Sequence, residues 1–188
     1  MALGAVRILG YAIISRDGMI ADADGHMPDS LIIEADQIFF RTSLTQAQVV
    51  IHGRNSFEGG LDVLGRHRVI VTRTVEAITA ISATPQILRW NPLGAALADV
   101  LRVLKVTRGD IAVIGGTDVF DLFLHIGYDA FYLTTAGSAC LPGGRPLFRG
   151  VPALSPRQIL AGRPLLLKNK RVLEDNVILE EWGSRGLS

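Results

Sequence analysis

"DIAVIGGTDVFDLFLHI" (110–126) opens as a short buried strand, stops on Gly115 and Gly116, and resumes with apolar residues at helical spacing. Glycine accepts backbone angles closed to other residues, so the pair can serve as a plain tight turn. A strand, a double glycine and a helix N-terminus also make a corner that suits an anionic group such as a phosphate. The dipeptide does not choose between these readings; the rest of the chain must.

Working outward, short Val- and Ile-rich runs recur, each bounded by turn residues, which is the pattern of buried strands. They are 7–15 (RILGYAIIS), 47–53 (AQVVIHG), 67–73 (HRVIVTR), 110–116 and 128–137 (YDAFYLTTAG). Residues 163–182 read as a terminal antiparallel pair with an ambiguous turn. Helical patterns lie between the strands. In 30–44, Leu31, Ala35, Ile38 and Phe39 fall on one face; 91–106 has Pro92 at a first-turn position; 117–126 follows the double glycine. Residues 138–162 hold much of the Pro and Gly and read as a long loop. Strands alternating with helices predict an α/β fold with a mostly parallel central sheet, a C-terminal antiparallel strand pair and helices on both faces. In such sheets ligands bind at the carboxyl ends of the strands.

The chain has 188 residues, 48% hydrophobic and 20% charged, with a net charge of +1. That length suits a single domain spanning 1–188, and the apolar excess leaves room for a homodimer interface. No basic run provides a nucleic-acid groove. The single cysteine, Cys140, excludes an internal disulfide and reads as a buried or partly buried thiol. No Cys/His spacing suggests a metal, and His26, His52, His67 and His125 are scattered over different segments. Charges interrupt every apolar run, so no membrane span is expected, and the opening residues lack a leader pattern. The expected location is the cytoplasm. Trp90 and Trp182 are expected to pack at the surface of the sheet.

Taken in order, the strand ends carry "ISRDGMIA", "MP" followed by a helix containing Asp36, "VVIHGRNSFEG", "GRHRVIVTR", "VIGGTDVFDLFL" and "FYLTT". This succession resembles the dihydrofolate reductase family and its relatives, including the reductase domain of riboflavin biosynthesis, over about residues 8–182. The resemblance implies a three-layer dihydrofolate reductase-like fold and NADPH as cofactor. It matches Gly53 and Arg54, with Asn55 and Ser56 beside them, to the family's Gly-Arg helix start at the cofactor pyrophosphate. Thr72 and Arg73 match the site of the adenosine ribose and its 2′-phosphate, for which a guanidinium with a neighbouring hydroxyl is suited. Gly115, Gly116, Thr117, Asp118 and Val119 match the glycine turn over the pyrophosphate. On this reading Ala12 and its neighbours receive the nicotinamide carboxamide and Ile20 packs near the same ring.

For the substrate, the resemblance matches Asp36 to the buried carboxylate, Thr134 to the threonine that bonds it, and Phe40 to the aromatic against the pterin ring. Ile13 and Ile14 lie under that ring, and Arg66 receives the folate α-carboxylate. The implied activity is hydride transfer to a pteridine C=N bond, dihydrofolate to tetrahydrofolate. The sequence also departs from the family. Asp118 stands where an arginine is common, a carboxylate that would cap the helix. Asp29 replaces the tryptophan of "MPW", Glu34 competes with Asp36, and the opening motif is closer to the riboflavin branch. Two other readings therefore stay open: a reductase of a ribosylamino-pyrimidine, and a nucleotide-binding protein without redox activity.

Overall fold

The computed structural model describes residues 6–55, 66–81 and 84–184. In chain order the elements are β1 (Val6–Ser15), β2 (Met19–Ala21), α1 (Glu34–Leu44), β3 (Ala47–Gly53), β4 (His67–Val71), β5 (Ile78–Ile81), β6 (Thr84–Trp90), α2 (Leu97–Leu104), β7 (Gly109–Val113), α3 (Thr117–Ile126), β8 (Ala130–Ala136), β9 (Arg145–Pro146), α4 (Pro156–Ala161), β10 (Leu165–Glu174) and β11 (Val177–Ser184). Nine strands form one sheet in the spatial order β10-β11-β8-β1-β7-β3-β4-β6-β5, while β2 and β9 pair separately. The strands from β8 through β6 run parallel. At one end β11 joins β8 and β10 antiparallel, and at the other β5 closes the sheet antiparallel to β6. The α/β class, the mostly parallel sheet and the C-terminal antiparallel pair are as expected.

Side-chain alternation along each strand sends successive residues to opposite layers. On one face Leu9, Tyr11, Val50 and Ala112 meet Leu44, Phe39 and Phe40 of α1. On the other, Ile14, Val49, Ile51, Ile111 and Val113 pack with Val100, Leu101 and Leu104 of α2, Phe120 and Phe123 of α3, and Leu160 of α4. Helices cover both faces.

Several expectations need correction. The helix expected from residue 30 begins at Glu34, because Asp29–Leu31 forms a separate 3-10 turn. The break shifts the helical phase, and Ile38 is left 58% exposed while Phe39, Phe40 and Leu44 turn inward. Pro92 lies in a turn built on Asn91, and α2 starts at Leu97, where the Asp99 carboxylate accepts the Ala96 amide at 3.1 Å. The 138–162 segment is not one loop: it contains β9 and α4. Trp90 and Trp182 are core residues, the former with its indole N–H on the Ala95 carbonyl at 2.9 Å. Cys140 is exposed. Among the described residues no helix is long and apolar enough to cross a membrane.

Candidate active site

The glycine and arginine motifs lie at the carboxyl ends of β7, β3 and β4, three adjacent parallel strands, and so gather along one edge of the sheet. The Gly53 amide donates to the Gly115 carbonyl at 2.8 Å and the Ile114 amide to the Ile51 carbonyl at 3.0 Å, which zips the turn after β7 to the end of β3. His52, 1% exposed, supports this junction. Its Nδ1–H donates to the Gly53 carbonyl at 2.7 Å and its Nε2 accepts from Arg68 Nε at 2.6 Å. Burial, opposed by the Gly53 bond and aided by Arg68, pushes its pKa down, in keeping with a neutral ring. Arg54 and Asn55 stand exposed in the turn after β3. Ser56 lies outside the described residues, as does the helix expected to start there. Thr72 follows β4 with its hydroxyl on the Thr74 amide at 3.2 Å, and Arg73 is exposed beside it.

Gly115 is buried with φ +128°, a conformation side chains rarely adopt, and the Gly115–Gly116 peptide is cis. The Gly116 carbonyl accepts the Val119 and Phe120 amides at 3.0 and 2.9 Å, leaving the Thr117 and Asp118 amides at the positive end of α3 without intrahelical partners. The Thr117 hydroxyl donates to the Pro146 carbonyl, and Val119 is buried in the core, so both reach this edge through backbone only. Asp118 does not cap the helix. The cap is Gly116, without a side-chain bond, and the Asp118 carboxylate instead pairs with Arg149 at 2.7 Å.

The substrate-side residues meet on the α1 face of β1 and β8. Ile13 and Thr134 are cross-strand partners. Asp36 and Phe40, one turn apart, share a face of α1. The Thr134 hydroxyl, 1% exposed, bonds the Asp36 carboxylate. Burial pushes the Asp36 carboxyl above its ordinary pKa, and the Thr134 bond pulls it partly back. Glu34, exposed at the start of α1, has no comparable setting. Phe40 packs edge-on to Tyr11 at 6.1 Å, and Tyr11 stacks on Tyr132 at 5.0 Å, an aromatic wall that sequence reading missed. Ile14, next to Ile13 on β1, points to the opposite layer with Ala12 and Ile20, so Ile13 and Ile14 cannot jointly floor one ring. Arg66 precedes β4, at the far end of that strand from Thr72 and Arg73. Asp29 is exposed.

The "SRDG" motif is a folded unit: Ser15 Oγ donates to Asp17 at 2.6 Å and Asp17 accepts the Leu141 amide at 3.0 Å. His26 gathers with Asp22 and Asp24, their ligand atoms within 4.8 Å, on a mostly exposed turn; sequence spacing had not grouped them.

An open, mostly parallel sheet with helices on both faces, glycine at adjacent strand ends and a half-buried carboxylate on the α1 face defines an α/β protein of the dihydrofolate reductase-like class. The family model for dihydrofolate reductase matches residues 10–142, and the chain belongs to that family. Solved structures agree in fold. One from Shewanella sp. PV-4, assigned to riboflavin biosynthesis, is 18% identical with a TM-score of 0.68, covering 95% of this chain and 99% of that one. The diaminohydroxyphosphoribosylaminopyrimidine deaminase/5-amino-6-(5-phosphoribosylamino)uracil reductase of Thermotoga maritima is 15% identical with a TM-score of 0.63; the match covers 96% of this chain but 57% of that longer one. Dihydrofolate reductase from Enterococcus faecalis, complexed with NADP(H) and RAB-propyl, is 14% identical with a TM-score of 0.64, covering 95% and 96%. No curated protein matches the sequence.

Proposed function

We propose that the chain, acting as one domain, is an NADPH-dependent reductase of a pteridine C=N bond, with dihydrofolate as substrate. The observation that carries this reading is the pairing of half-buried Asp36 with buried Thr134, set on the α1 face that also carries Ile13 and Phe40. The donor set at the carboxyl edge fits an elongated polyanion: Gly53, the α3 amides, Arg54 and Arg73 come from separate strand ends that one dinucleotide could bridge. When bound, NADPH supplies the hydride from nicotinamide C4. Asp36 accepts hydrogen bonds from the amide face of the pterin and fixes the ring, while Thr134 holds the carboxylate in place. Phe40 and Ile13 supply apolar walls. A carboxyl whose pKa is raised by burial lies closer to the pH at which a proton can be shared with the substrate nitrogen. Arg66 grips the glutamate tail, and Arg73 the 2′-phosphate.

A second reading, a reductase of a ribosylamino-pyrimidine, is favoured by one observation: exposed Asp29 stands where the folate enzymes have tryptophan. NADPH consumption with dihydrofolate, then with a pyrimidine panel, separates the two. Dihydrofolate turnover that falls through KM in Arg66→Ala supports the folate reading. Turnover of the pyrimidine alone transfers the assignment, and NADPH binding without any oxidation leaves a nucleotide-binding protein. Arg73→Ala should weaken NADPH by about 1.5–3 kcal/mol and spare NADH. Equal weakening of both cofactors removes Arg73 from the 2′-phosphate.

A further inference from the structure

The antiparallel end of the sheet carries a surface that the reductase reading does not use. α1 lies over β1 and β8, with Phe39 tilted against Tyr132 of β8 at 5.6 Å. On the same face, β11 and β10 continue the sheet in two adjacent rows set by the strand register. Tyr132, Glu181 and Asn169 stand side by side in one row, and Thr134, Leu179 and Arg171 in the next. A cavity of about 100 Å³ opens over these rows, lined by Tyr132, Asn169, Arg171, Leu179 and Glu181.

Two opposite charges line this cavity without neutralising each other. Arg171 and Glu181 are diagonal neighbours across β10 and β11, within reach for long side chains. Yet among the described residues no ion pair joins them. Arg171 instead lies over the Phe39 ring, its guanidinium carbon 5.2 Å from the ring centroid. That contact spends no N–H donor in a hydrogen bond. Glu181, half-buried, sits beside the Tyr132 phenol: burial, and then this carboxylate, push the Tyr132 pKa up. The Asn169 side-chain oxygen accepts the Lys170 amide at 2.8 Å, which leaves its NH₂ group as a donor. Leu179 is a buried apolar floor.

Size and charge together select a ligand. One water needs about 10–15 Å³ of such space, so the cavity holds several waters or a molecule of a few heavy atoms. It is far smaller than a pocket for a pterin or a nucleotide. An anion alone would gain Arg171 but meet the Glu181 carboxylate, and a cation alone would face the reverse. A molecule with both charges a few bonds apart answers both, and the flat guanidinium fork suits a carboxylate.

We propose that this cavity binds a small zwitterion, a free α-amino acid of the size of glycine or alanine, with its carboxylate on Arg171 and the Asn169 amide and its ammonium on Glu181. The site is separate from the reductase reading and does not depend on it.

The test is titration calorimetry of the full chain with glycine and with alanine, with unfolding temperature measured alongside. Either amino acid should bind with a Kd of about 1 mM or tighter. Acetate, which lacks the ammonium, and methylammonium, which lacks the carboxylate, are small enough to enter and should each bind about tenfold more weakly or worse, the loss of a charge-assisted bond. Arg171→Ala should weaken glycine by a similar factor, and Arg171→Lys, which keeps the charge but not the fork, should fall between. Glu181→Gln should weaken glycine and close the gap between glycine and acetate. Unfolding temperatures should stay near the wild-type value, since these side chains are exposed or half-buried. No binding of either amino acid to the wild-type protein at tens of millimolar overturns the proposal. Acetate or methylammonium binding as tightly as glycine reduces the cavity to a simple ion site and overturns the zwitterion assignment. Glycine affinity unchanged in Arg171→Ala or in Glu181→Gln removes that residue from the site and overturns the two-charge recognition.

Discussion

Asp36 is held where its charge is costly. Burial disfavours the carboxylate, and one hydroxyl from Thr134 compensates only in part, so its pKa is raised in the folded protein. A group with a raised folded pKa binds more protons folded than unfolded, and stability falls as pH rises from the unfolded pKa through the folded one. Asp36→Asn removes that dependence. The variant should therefore unfold at a higher temperature than wild type at neutral pH, and the advantage should disappear on acidification below the normal carboxylate range. Turnover should move the other way, falling by about 10²–10⁴ as expected for loss of an acid–base group, with residual activity rising at acidic pH where the substrate arrives protonated. Thermal melts and rates over one pH series check both halves; a variant neither more stable nor slower at neutral pH would leave Asp36 an ordinary helix residue. The Asp36–Thr134 contact could not be read from residue spacing, because the two are distant in sequence and meet only when α1 packs on the sheet face that β1 and β8 share. The resemblance alone pointed to it.

At the level of elements, the glycine turn separates two uses of glycine. Gly115 needs its residue type for its backbone, at φ +128°. Gly116, with φ −84° and ψ −157°, lies in extended backbone, so its angles do not require glycine as those of Gly115 do. Gly115→Ala should accordingly cost stability. Gly116→Val should leave the unfolding temperature nearly unchanged and abolish NADPH binding, and calorimetry on a folded Gly116→Val that still binds NADPH would return the turn to a structural role alone. Element by element, legibility followed the strength of local signals. The strand Ala47–Gly53 and the helix Thr117–Ile126 match the sequence reading residue for residue, because a Val/Ile run and an amphipathic run each end on glycine. β5 and β6 were missed: Pro85 interrupts the second, and it precedes the portion, 87–90, that pairs with β4. α4 was missed although its signals were present, since Ser155 caps it, Pro156 opens it and the Gln158 side chain accepts the Ser155 amide at 2.8 Å. Glycine and proline density in that segment masked a capping box.

At the scale of the whole molecule, the last strand is the keystone of one end of the sheet: β11 enters between β8 and β10, so the C-terminal residues close what the earlier ones began. That closure contains a buried charge. Glu180 is 2% exposed, on the layer opposite Asp36, and takes Arg157 Nε on both oxygens at 2.9 and 2.8 Å, with Lys170 Nζ at 3.8 Å. Arg157 also reaches Thr135 of β8 at 3.3 Å, so one guanidinium ties α4, β11 and β8 together. Removing one partner of such a pair strands the other, whereas replacing both with apolar groups avoids the penalty. Arg157→Ala should lower stability by about 1.5–3 kcal/mol, the range for bonds to charged groups, because Lys170 is too distant to replace it fully. Glu180→Leu with Arg157→Met should recover most of that loss. Urea unfolding midpoints, with unchanged slopes, measure both. NADPH affinity below the transition should stay at the wild-type value in every one of these variants, since β8 and β1 stand between β11 and the strand that leads into the glycine turn. A double variant no more stable than Arg157→Ala would show that the carboxylate, rather than its neutralisation, is what the closure requires.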